Sequence, residues 1–383
     1  MTTTPIAILG GGPVGLTLAL RLARLRVPSV VVDARDLDEA RRDRRLLALS
    51  RGTLDALGAV IDLPPAALAP IRTVVVSSSG EFGRVVLGER DNGGRPLGAT
   101  IRYGDLITAL DAACNGEPLV ELRRRCTASA VSQGPSSVDV WLSDGSSLGA
   151  TIAVNAEGAG AGGRPPVARQ SALTGDVEVR GPAAGTAFER FTRDGPLALL
   201  PLPGPAVGAA RPMSLVWCMP TAAADRREAL PDAELLAELQ AEFGERNGRI
   251  VSIRSRGRYP LIEQAREEVR EHRLVHVGNA PQTLHPVAGQ GLNLGVRDCV
   301  ALADLVASAV AAAEDPLARL PEYEQRRRAD RLAIRTLTRT VPSLFATGFA
   351  PVAAARSLGL TMLSIFPDLR AEFARFLMFG VRS

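Results

Sequence analysis

The stretch Ile6-Ala7-Ile8-Leu9-Gly10-Gly11-Gly12-Pro13-Val14-Gly15 decides the fold of this chain. Its apolar start, stopped by glycine, predicts a buried parallel strand. Gly10, Gly12 and Gly15 have the G-x-G-x-x-G spacing, and a leucine-rich helical pattern follows them. A second apolar strand ends at Asp33. This order of strand, glycine turn, helix, strand and acid is the pattern that binds the ADP half of a dinucleotide.

Each residue of this pattern has a physical role. Gly10 makes the tight turn, Gly12 admits the pyrophosphate, and Gly15 lets helix and strand pack closely. Asp33 accepts hydrogen bonds from the adenosine ribose. A glycine-rich turn also occurs where a chain only changes direction, but here the flanking strand and the terminal acid favour binding. The predicted cofactor-binding residues of this segment are Gly10, Gly12, Pro13, Val14, Gly15 and Asp33.

A second glycine-rich stretch, GNAPQTLHPVAGQGLNLGVRD at 278–298, follows a strand-like run and leads into a helical pattern. Gly289 and Gly291 let the backbone pass close to a flat ligand, and a helix start directs free N–H groups at anionic oxygen. The first segment alone does not separate FAD from NAD. Two distant segments that bind one large cofactor indicate FAD.

The composition narrows the function classes. The net charge of +4 comes from arginine, because the chain has no lysine. This excludes a lysine Schiff base and a P-loop lysine. Three histidines, and four cysteines without C-x-x-C spacing, predict no metal site and reduced thiols. The basic runs are short and lack interleaved aromatic residues, so no nucleic-acid partner is predicted.

The length and the hydropathy pattern predict two joined domains in a cytoplasmic protein. A chain of 383 residues is long enough to bury a large core. It has no apolar run of about 18 residues, which a spanning helix needs. Its first apolar run belongs to the nucleotide strand and not to a signal segment.

We predict an α/β fold with a Rossmann-like FAD-binding domain, an inserted and mainly antiparallel β-sheet substrate domain, and a C-terminal helical segment. An Asp144-Gly145 turn between strand-like runs predicts a hairpin within the fold. The predicted domain ranges are 1–70, 97–170 and 260–340 for the discontinuous FAD-binding domain, 71–96 and 171–259 for the substrate domain, and 341–383 for the helical tail.

Along essentially its whole length the chain resembles the flavin-dependent aromatic hydroxylases related to p-hydroxybenzoate hydroxylase. The block at 278–298 is similar almost continuously to the ubiquinone-biosynthesis subgroup, and within it most to the octaprenyl-methoxyphenol hydroxylases. Further matching blocks are TAFERFT at 186–192, GPLALLP at 195–201, SLVW at 214–217 and, more weakly, RLLALS at 45–50.

The resemblance implies further cofactor contacts. Arg45 matches an arginine that approaches the FAD phosphates or ribityl chain. Asn279 matches a position where the wider family has an aspartate that bonds the ribityl hydroxyls. The implied loop and helix start beside the flavin also include Gln290. The predicted contacts of this segment are Gly278, Asn279, Pro286, Gly289, Gly291, Leu292 and Asn293.

Two motifs depart from the family pattern. The family's A-D-G-x-x-S-x-V-R reads AEGAGAGGR at 156–164, so that Glu157 and Gly158 are the predicted cofactor contacts there. In the family this motif is linked to the use of nicotinamide, so the change concerns the reduction of FAD by NAD(P)H. The wider family's R-x-x-L requires arginine at position 103, where this chain has Tyr103, with Arg102 as a neighbouring substitute.

The resemblance also implies the reaction. NADPH or NADH reduces FAD, O2 adds to give a flavin C4a-hydroperoxide, and a polyprenylated phenol accepts one oxygen atom. The candidate catalytic residues are Pro286, through its carbonyl, and His285 as a base. The alternative for His285 is a structural hydrogen bond. Arg190 and Arg211 are candidates for substrate contact.

Alternatives remain open for substrate and partners. The substrate of the same chemistry is either a polyprenylated phenol or a small soluble aromatic or polyketide. A non-catalytic flavin-binding scaffold is the alternative from another class. Halogenation is disfavoured, because the related flavin halogenases need an essential lysine and this chain has no lysine. The apolar tail has two interpretations. In one it contacts a partner, which is the inner membrane of a bacterium, a subunit of a biosynthetic complex or a second copy of the chain. In the other it is a helix pair packed on the domain.

Overall fold

The fold is given by a computed structural model that describes residues 4–80, 83–158, 168–206, 208–262, 264–265, 269–280, 282–283, 289–346 and 350–381. Its strands are β1 (Thr4–Leu9), β2 (Ser29–Asp33), β3 (Leu46–Ser50), β4 (Ala69–Ile71), β5 (Thr73–Ser78), β6 (Arg84–Gly88), β7 (Gly98–Arg102), β8 (Val120–Arg124), β9 (Ala128–Gln133), β10 (Val138–Leu142), β11 (Ser147–Asn155), β12 (Gln170–Arg180), β13 (Thr186–Phe191), β14 (Pro196–Pro201), β15 (Ala210–Pro220), β16 (Arg249–Leu261), β17 (Gln264–Ala265), β18 (Arg270–Glu271), β19 (Leu274–His276) and β20 (Gln282–Thr283). Its α-helices are α1 (Pro13–Arg24), α2 (Leu37–Arg41), α3 (Arg51–Gly58), α4 (Tyr103–Asn115), α5 (Thr221–Glu228), α6 (Asp232–Phe243), α7 (Gln290–Ala311), α8 (Leu320–Ala346), α9 (Ala350–Ile365) and α10 (Pro367–Phe379).

A mainly parallel sheet carries the glycine-rich turn. Its strand order is β18–β19–β11–β1–β2–β8, and the β9–β10 hairpin extends it from β11. Strand β1 lies between β2 and β11 and is parallel to both. Because a central parallel strand is covered on both faces, its side chains are apolar on both, and Ile6, Ala7 and Ile8 are fully buried. The turn at Gly10 follows the carboxyl end of β1, where such sheets bind ligands.

A seven-stranded sheet carries the other large core. Its order is β16–β12–β15–β14–β13–β5–β6, antiparallel except for the β13–β5 pair. Side chains alternate between its faces. Leu199 and Trp217 pack in a core that includes residues of α5 and α6, whereas Leu200 and Val216 face a cavity on the other side. The small sheet β3–β7–β4 and the two-stranded β17–β20 complete the described strands.

The predicted α/β architecture is confirmed, with its antiparallel sheet and its C-terminal helices. The predicted hairpin is formed by β10 and β11, and Gly145 has a φ of 83° in its turn. The domain borders stay a proposal. Four elements cross them: β4 spans residues 69–71, β12 begins at Gln170, β16 pairs with β12 as far as Leu261, and α8 runs through residue 340. Pro342 lies inside α8.

A buried charge cluster holds α7, α8 and the end of β19 together. Asp298 is fully buried, accepts hydrogen bonds from the guanidinium groups of Arg327 (2.8 Å) and Arg331 (3.0 Å), and accepts one from the Gly278 N–H (3.2 Å). Arg331 also donates to the Tyr323 hydroxyl at 2.7 Å. Burial acts to raise the pKa of Asp298, but Arg331 and Arg327 hold it below its usual value. Gly278 is therefore fixed by an ionised carboxylate.

We predict that Asp298→Ala lowers the free energy of unfolding by about 3–5 kcal/mol, because two buried guanidinium groups lose the carboxylate that they share. Asp304→Ala on the same helix is the matched control. Asp304 forms an exposed ion pair with Arg21, and we expect its removal to lower the free energy of unfolding by at most about 1 kcal/mol. Urea unfolding of both variants measures the difference. Since the pKa of Asp298 is lowered in the native state, its contribution is present at neutral pH and decreases as the pH falls through that pKa.

Candidate functional site

Two glycines of the first segment are required by the packing of the chain itself. A Cβ on Gly15 would lie 1.9 Å from the carbonyl oxygen of Gly10. Gly10 has a φ of 110°, and a Cβ there would lie 2.6 Å from the carbonyl carbon of Ala156. Both positions therefore exclude a side chain before any ligand is considered.

Gly12 differs, because the space above it is open. The nearest atom to a Cβ on Gly12 is the hydroxyl oxygen of Tyr103, at an ordinary contact distance of 3.7 Å. Gly12 is the N-cap of α1, which has Pro13 in its first turn, no side-chain cap and no acidic residue there. Free N–H groups and the positive end of the helix dipole thus face open space. This cradle fits a pyrophosphate.

Asp33 lies directly beside the turn. It ends β2 and is 7% exposed, and its Oδ2 lies 2.7 Å from the position of a Cβ on Gly11. The Arg35 N–H donates to its Oδ1 at 2.8 Å. The carboxylate thus has the place and the fixed orientation needed to accept hydrogen bonds from a ribose.

Glu157 approaches the same turn from the end of β11. A Cβ on Gly10 would lie 2.7 Å from the Glu157 nitrogen, and the Glu157 N–H donates to Asn155 Oδ1 at 3.1 Å. Desolvation, and then the charge of Asp33, raise the pKa of the Glu157 carboxyl. Gly158 has a φ of 82°. The remaining residues of this altered motif, 159–164, lie outside the described residues.

The two glycine-rich segments meet at Val14. A Cβ on Gly278 would lie 3.2 Å from Val14 Cγ2, and a Cβ on Gly295 would lie 2.8 Å from the same atom. Cys299 Sγ lies 3.2 Å from the Val14 carbonyl oxygen. Sequence reasoning did not single out Gly295, although its spacing of four from Gly291 on one helix face is a signal for close packing.

The start of α7 is held by Asn293. Its Nδ2 donates to the carbonyl oxygens of Gly289 (2.8 Å) and Ala48 (3.0 Å), and its Oδ1 accepts from the Ser50 N–H (2.9 Å). Asn293 is 2% exposed, so its side chain binds the protein. The Asn293 backbone is left for the flavin contact, which stays a prediction.

Gly289 and Gly291 bring the loop close to its surroundings. Gly289 has a φ of 58°, and a Cβ there would lie 2.9 Å from the Cβ of Ala48. A Cβ on Gly291 would lie 3.3 Å from Asn279 Oδ1. Gly291, Leu292 and Asn279 line the apolar cavity described below. Pro286 and His285 lie outside the described residues, and their predicted catalytic roles stay predictions.

Arg45 and Tyr103 form a stacked pair beside Gly12. The Arg45 guanidinium carbon lies 5.1 Å from the centre of the Tyr103 ring, and Arg45 pairs with Asp43 at 2.6 Å. Arg102 pairs with Asp176 in the seven-stranded sheet at 2.8 Å and donates to the Arg44 carbonyl oxygen at 2.8 Å, so protein partners engage its guanidinium group.

A cavity of about 950 Å³ extends from this loop between the seven-stranded sheet and the C-terminal helices. Its size is at the upper end for ligand pockets, about 300–1,000 Å³. Its lining is mainly apolar, with Glu189 and Arg356 as charged members. Helix α9 contributes Gly359, Leu360 and Leu363 to the wall.

The two arginines proposed for substrate contact have structural partners. Arg190 donates to the Glu242 carbonyl oxygen and, at 3.1 Å, to Ser77 Oγ. Arg211 donates to the Pro182 carbonyl oxygen at 3.0 Å. Neither belongs to the cavity lining in the described part of the chain. Their guanidinium groups therefore hold strands and loops of the second sheet.

Comparison with known proteins agrees with this geometry. A model of an FAD-binding domain family matches residues 172–336. The chain is 33% identical to ubiquinone hydroxylase UbiL of Rhodospirillum rubrum, over 97% of this chain and 89% of the relative. It is 29% identical to 3-demethoxyubiquinol 3-hydroxylase of Escherichia coli, over 93% of this chain and 94% of the relative.

Solved structures share the fold. Pseudomonas aeruginosa PqsL in complex with 2-aminobenzoylacetate has a TM-score of 0.78 at 20% identity, covering 94% of this chain and 100% of that one. The p-nitrophenol 4-monooxygenase PnpA of Pseudomonas putida has a TM-score of 0.73 at 17% identity, covering 100% and 99%.

We predict that Gly12→Ala and Gly15→Ala separate cofactor binding from folding. Gly12→Ala should cost at most about 1 kcal/mol of stability, because no protein atom is displaced, yet weaken FAD binding at least tenfold. Gly15→Ala should cost about 3 kcal/mol or more through its clash with the Gly10 carbonyl.

Thermal unfolding of the FAD-free variants and FAD fluorescence titration measure the two quantities. Gly58→Ala, where a Cβ meets no atom within 4 Å, is the control: it should leave FAD affinity unchanged and raise stability by at most about 1 kcal/mol, as expected for a helical glycine. Normal FAD affinity in Gly12→Ala would show that the cradle holds something else.

Proposed function

The chain belongs to the family of FAD-dependent hydroxylases that contains the ubiquinone hydroxylases, and from this we propose that it hydroxylates a polyprenylated phenol in ubiquinone biosynthesis, with NADPH or NADH and O2 as co-substrates. The observation that carries the substrate class is the long apolar cavity that begins at Gly291 and Leu292 and continues beneath the C-terminal helices. A small soluble aromatic would need only its inner end.

The residues of the chain have defined tasks in this reaction. FAD, when bound, supplies the redox and oxygen chemistry. Helix α7 begins at the cavity, and the free N–H groups of its first turn favour negative charge there. Asn293 keeps that start in place through three hydrogen bonds. Pro286 and His285 lie outside the described residues, and the roles of the Pro286 carbonyl and of His285 stay predictions.

The walls of the cavity keep water away from the reacting ring. Val74, Val76 and Leu200 cover its sheet side, and Leu360 and Phe373 cover its helical side. An apolar wall of this kind holds a phenol ring and a prenyl chain by burial without side-chain nucleophiles. Excluding water also strengthens the electrostatic contacts inside the site.

A set of exposed apolar side chains, the apolar ridge, lies on the outside of the same helices. Its members and their exposed fractions are Leu358 (61%), Met362 (43%), Ile365 (64%), Phe366 (51%) and Leu369 (47%). No helix among the described residues is both long and apolar enough to cross a bilayer. Helix α9 presents the ridge on one face and lines the cavity with Leu360 and Leu363 on another. We therefore propose peripheral contact of the ridge with a lipid bilayer, from which a prenyl chain enters.

Anaerobic NADPH should bleach the flavin absorption bands of the purified protein, and in air a prenylated methoxyphenol should be converted to a hydroxylated product. We expect Val216→Trp, which fills the cavity, to keep FAD and to lower product formation at least tenfold for long prenyl chains and less for short ones. Val86→Trp on the exposed face of β6 is the control, with activity unchanged. Bound flavin that no nicotinamide reduces would favour the scaffold alternative.

Membrane contact is tested with the double variant Leu358→Ser/Ile365→Ser. Because each side chain loses apolar area that would be buried in lipid, we expect binding to vesicles of phosphatidylethanolamine and phosphatidylglycerol to weaken about tenfold or more. Leu25→Ser/Leu332→Ser removes two exposed leucines elsewhere and should bind like the unchanged protein. Vesicle binding unaffected by the ridge variant, or a ridge variant that only alters oligomeric state, contradicts the proposal.

A further inference from the structure

The hydroxyl of Tyr103 is buried at the edge of the pyrophosphate cradle. Tyr103 is the first residue of α4 and is 6% exposed. Outside Gly12 and its two chain neighbours, its hydroxyl is the nearest atom of the described residues to the position of a Cβ on Gly12, at 3.7 Å. Arg35 Nη2 donates to this oxygen at 3.1 Å. Among the described residues, no protein acceptor takes the proton of this hydroxyl, so the O–H is able to rotate and donate to a ligand in the cradle.

Positive charge surrounds this hydroxyl. The guanidinium carbons of Arg35 and Arg45 lie 5.9 Å and 5.1 Å from the ring centre. Arg45 is neutralised by its close pair with Asp43, whereas Arg35 approaches Asp33 only to 3.8 Å. The positive charge of Arg35 is therefore less neutralised than that of Arg45. Arg35 acts on the cradle through its hydrogen bond to the Tyr103 hydroxyl.

The carboxylates near the turn occupy other positions. Asp33 lies against Gly11, and Glu157 follows the residue that contacts Gly10. Neither is the atom nearest to the space above Gly12. The N-terminus of α1 adds free N–H groups on the same side as the tyrosine hydroxyl. An anion above Gly12 would thus meet donors from the helix and from Tyr103.

We propose that the Tyr103 hydroxyl donates a hydrogen bond to the diphosphate of FAD above Gly12, and that Arg35 orients this hydroxyl and contributes its positive charge. The inference rests on the FAD-binding part of the function proposed above, and not on the identity of the hydroxylated substrate. At position 103, where the chain departs from the family's arginine, the tyrosine hydroxyl and the guanidinium group of Arg35 would act together on the diphosphate.

The test measures binding of FAD and of ADP to the FAD-free protein, ADP by competition. Tyr103→Phe should weaken both at least about tenfold, the factor expected when a hydrogen bond to a charged group is lost. It should leave adenosine, which has no phosphate, unchanged. Thr192→Val is the matched control, because it removes another buried hydroxyl, which donates to the Gly195 carbonyl oxygen (2.7 Å) in the turn between β13 and β14. Its FAD affinity should not change.

Two further variants test the role of Arg35. Arg35→Gln should weaken FAD binding, and the double variant with Tyr103→Phe should be less impaired than the two single effects multiplied, because the residues act together. Tyr103→Arg should retain tight FAD binding. Unchanged FAD affinity in Tyr103→Phe, an effect on FAD without one on ADP, or multiplicative effects in the double variant would overturn the proposal. If the unchanged protein binds FAD and ADP, and the variants weaken both as expected, but the unchanged protein hydroxylates no prenylated phenol, only the proposed function is contradicted.

Discussion

The close approach of α7 to α1 at Val14 is the contact on which the cofactor site depends. Gly278 and Gly295 leave room for Val14, and any side chain at Gly295 would lie within 2.8 Å of it. This contact brings residues from the two ends of the sequence into one site. The buried Asp298 then fixes the Gly278 N–H from behind. The site is consequently as stable as the packing of the whole FAD-binding core, because no local segment forms it alone.

Local backbone requirements made part of this site predictable. The spacing of Gly10, Gly12 and Gly15, and the acid at the end of the next strand, depend on short-range geometry that a sequence displays directly. The helix start near Gly291 was predicted for the same reason. These patterns also fixed the α/β class and the antiparallel sheet, since apolar runs and turns report strand type locally.

Other roles depend on partners that are distant in sequence. Asn293 was predicted to contact flavin, but its side chain bonds β3, which no local pattern reveals. In the sequence, Tyr103 was only a departure from the family's arginine, because Arg35 and Gly12 become its neighbours only in the folded chain. Strand geometry places Leu199 and Leu200 on opposite faces of β14, yet which of the two faces borders a cavity depends on the C-terminal helices.

The C-terminal helices complete the site from outside. Ser50 Oγ donates to the Met378 carbonyl oxygen at 2.9 Å, and Gln290 Nε2 donates to that of Leu377 at 3.2 Å. Ser50 and Gln290 both adjoin the loop that Asn293 holds. Although the glycine turn lies near the start of the chain, the bonds that brace its opposite wall require residues 377 and 378. During synthesis on the ribosome, the nucleotide-binding strand therefore emerges long before the flavin wall can be finished, and the completed pocket exists only once α10 has been translated.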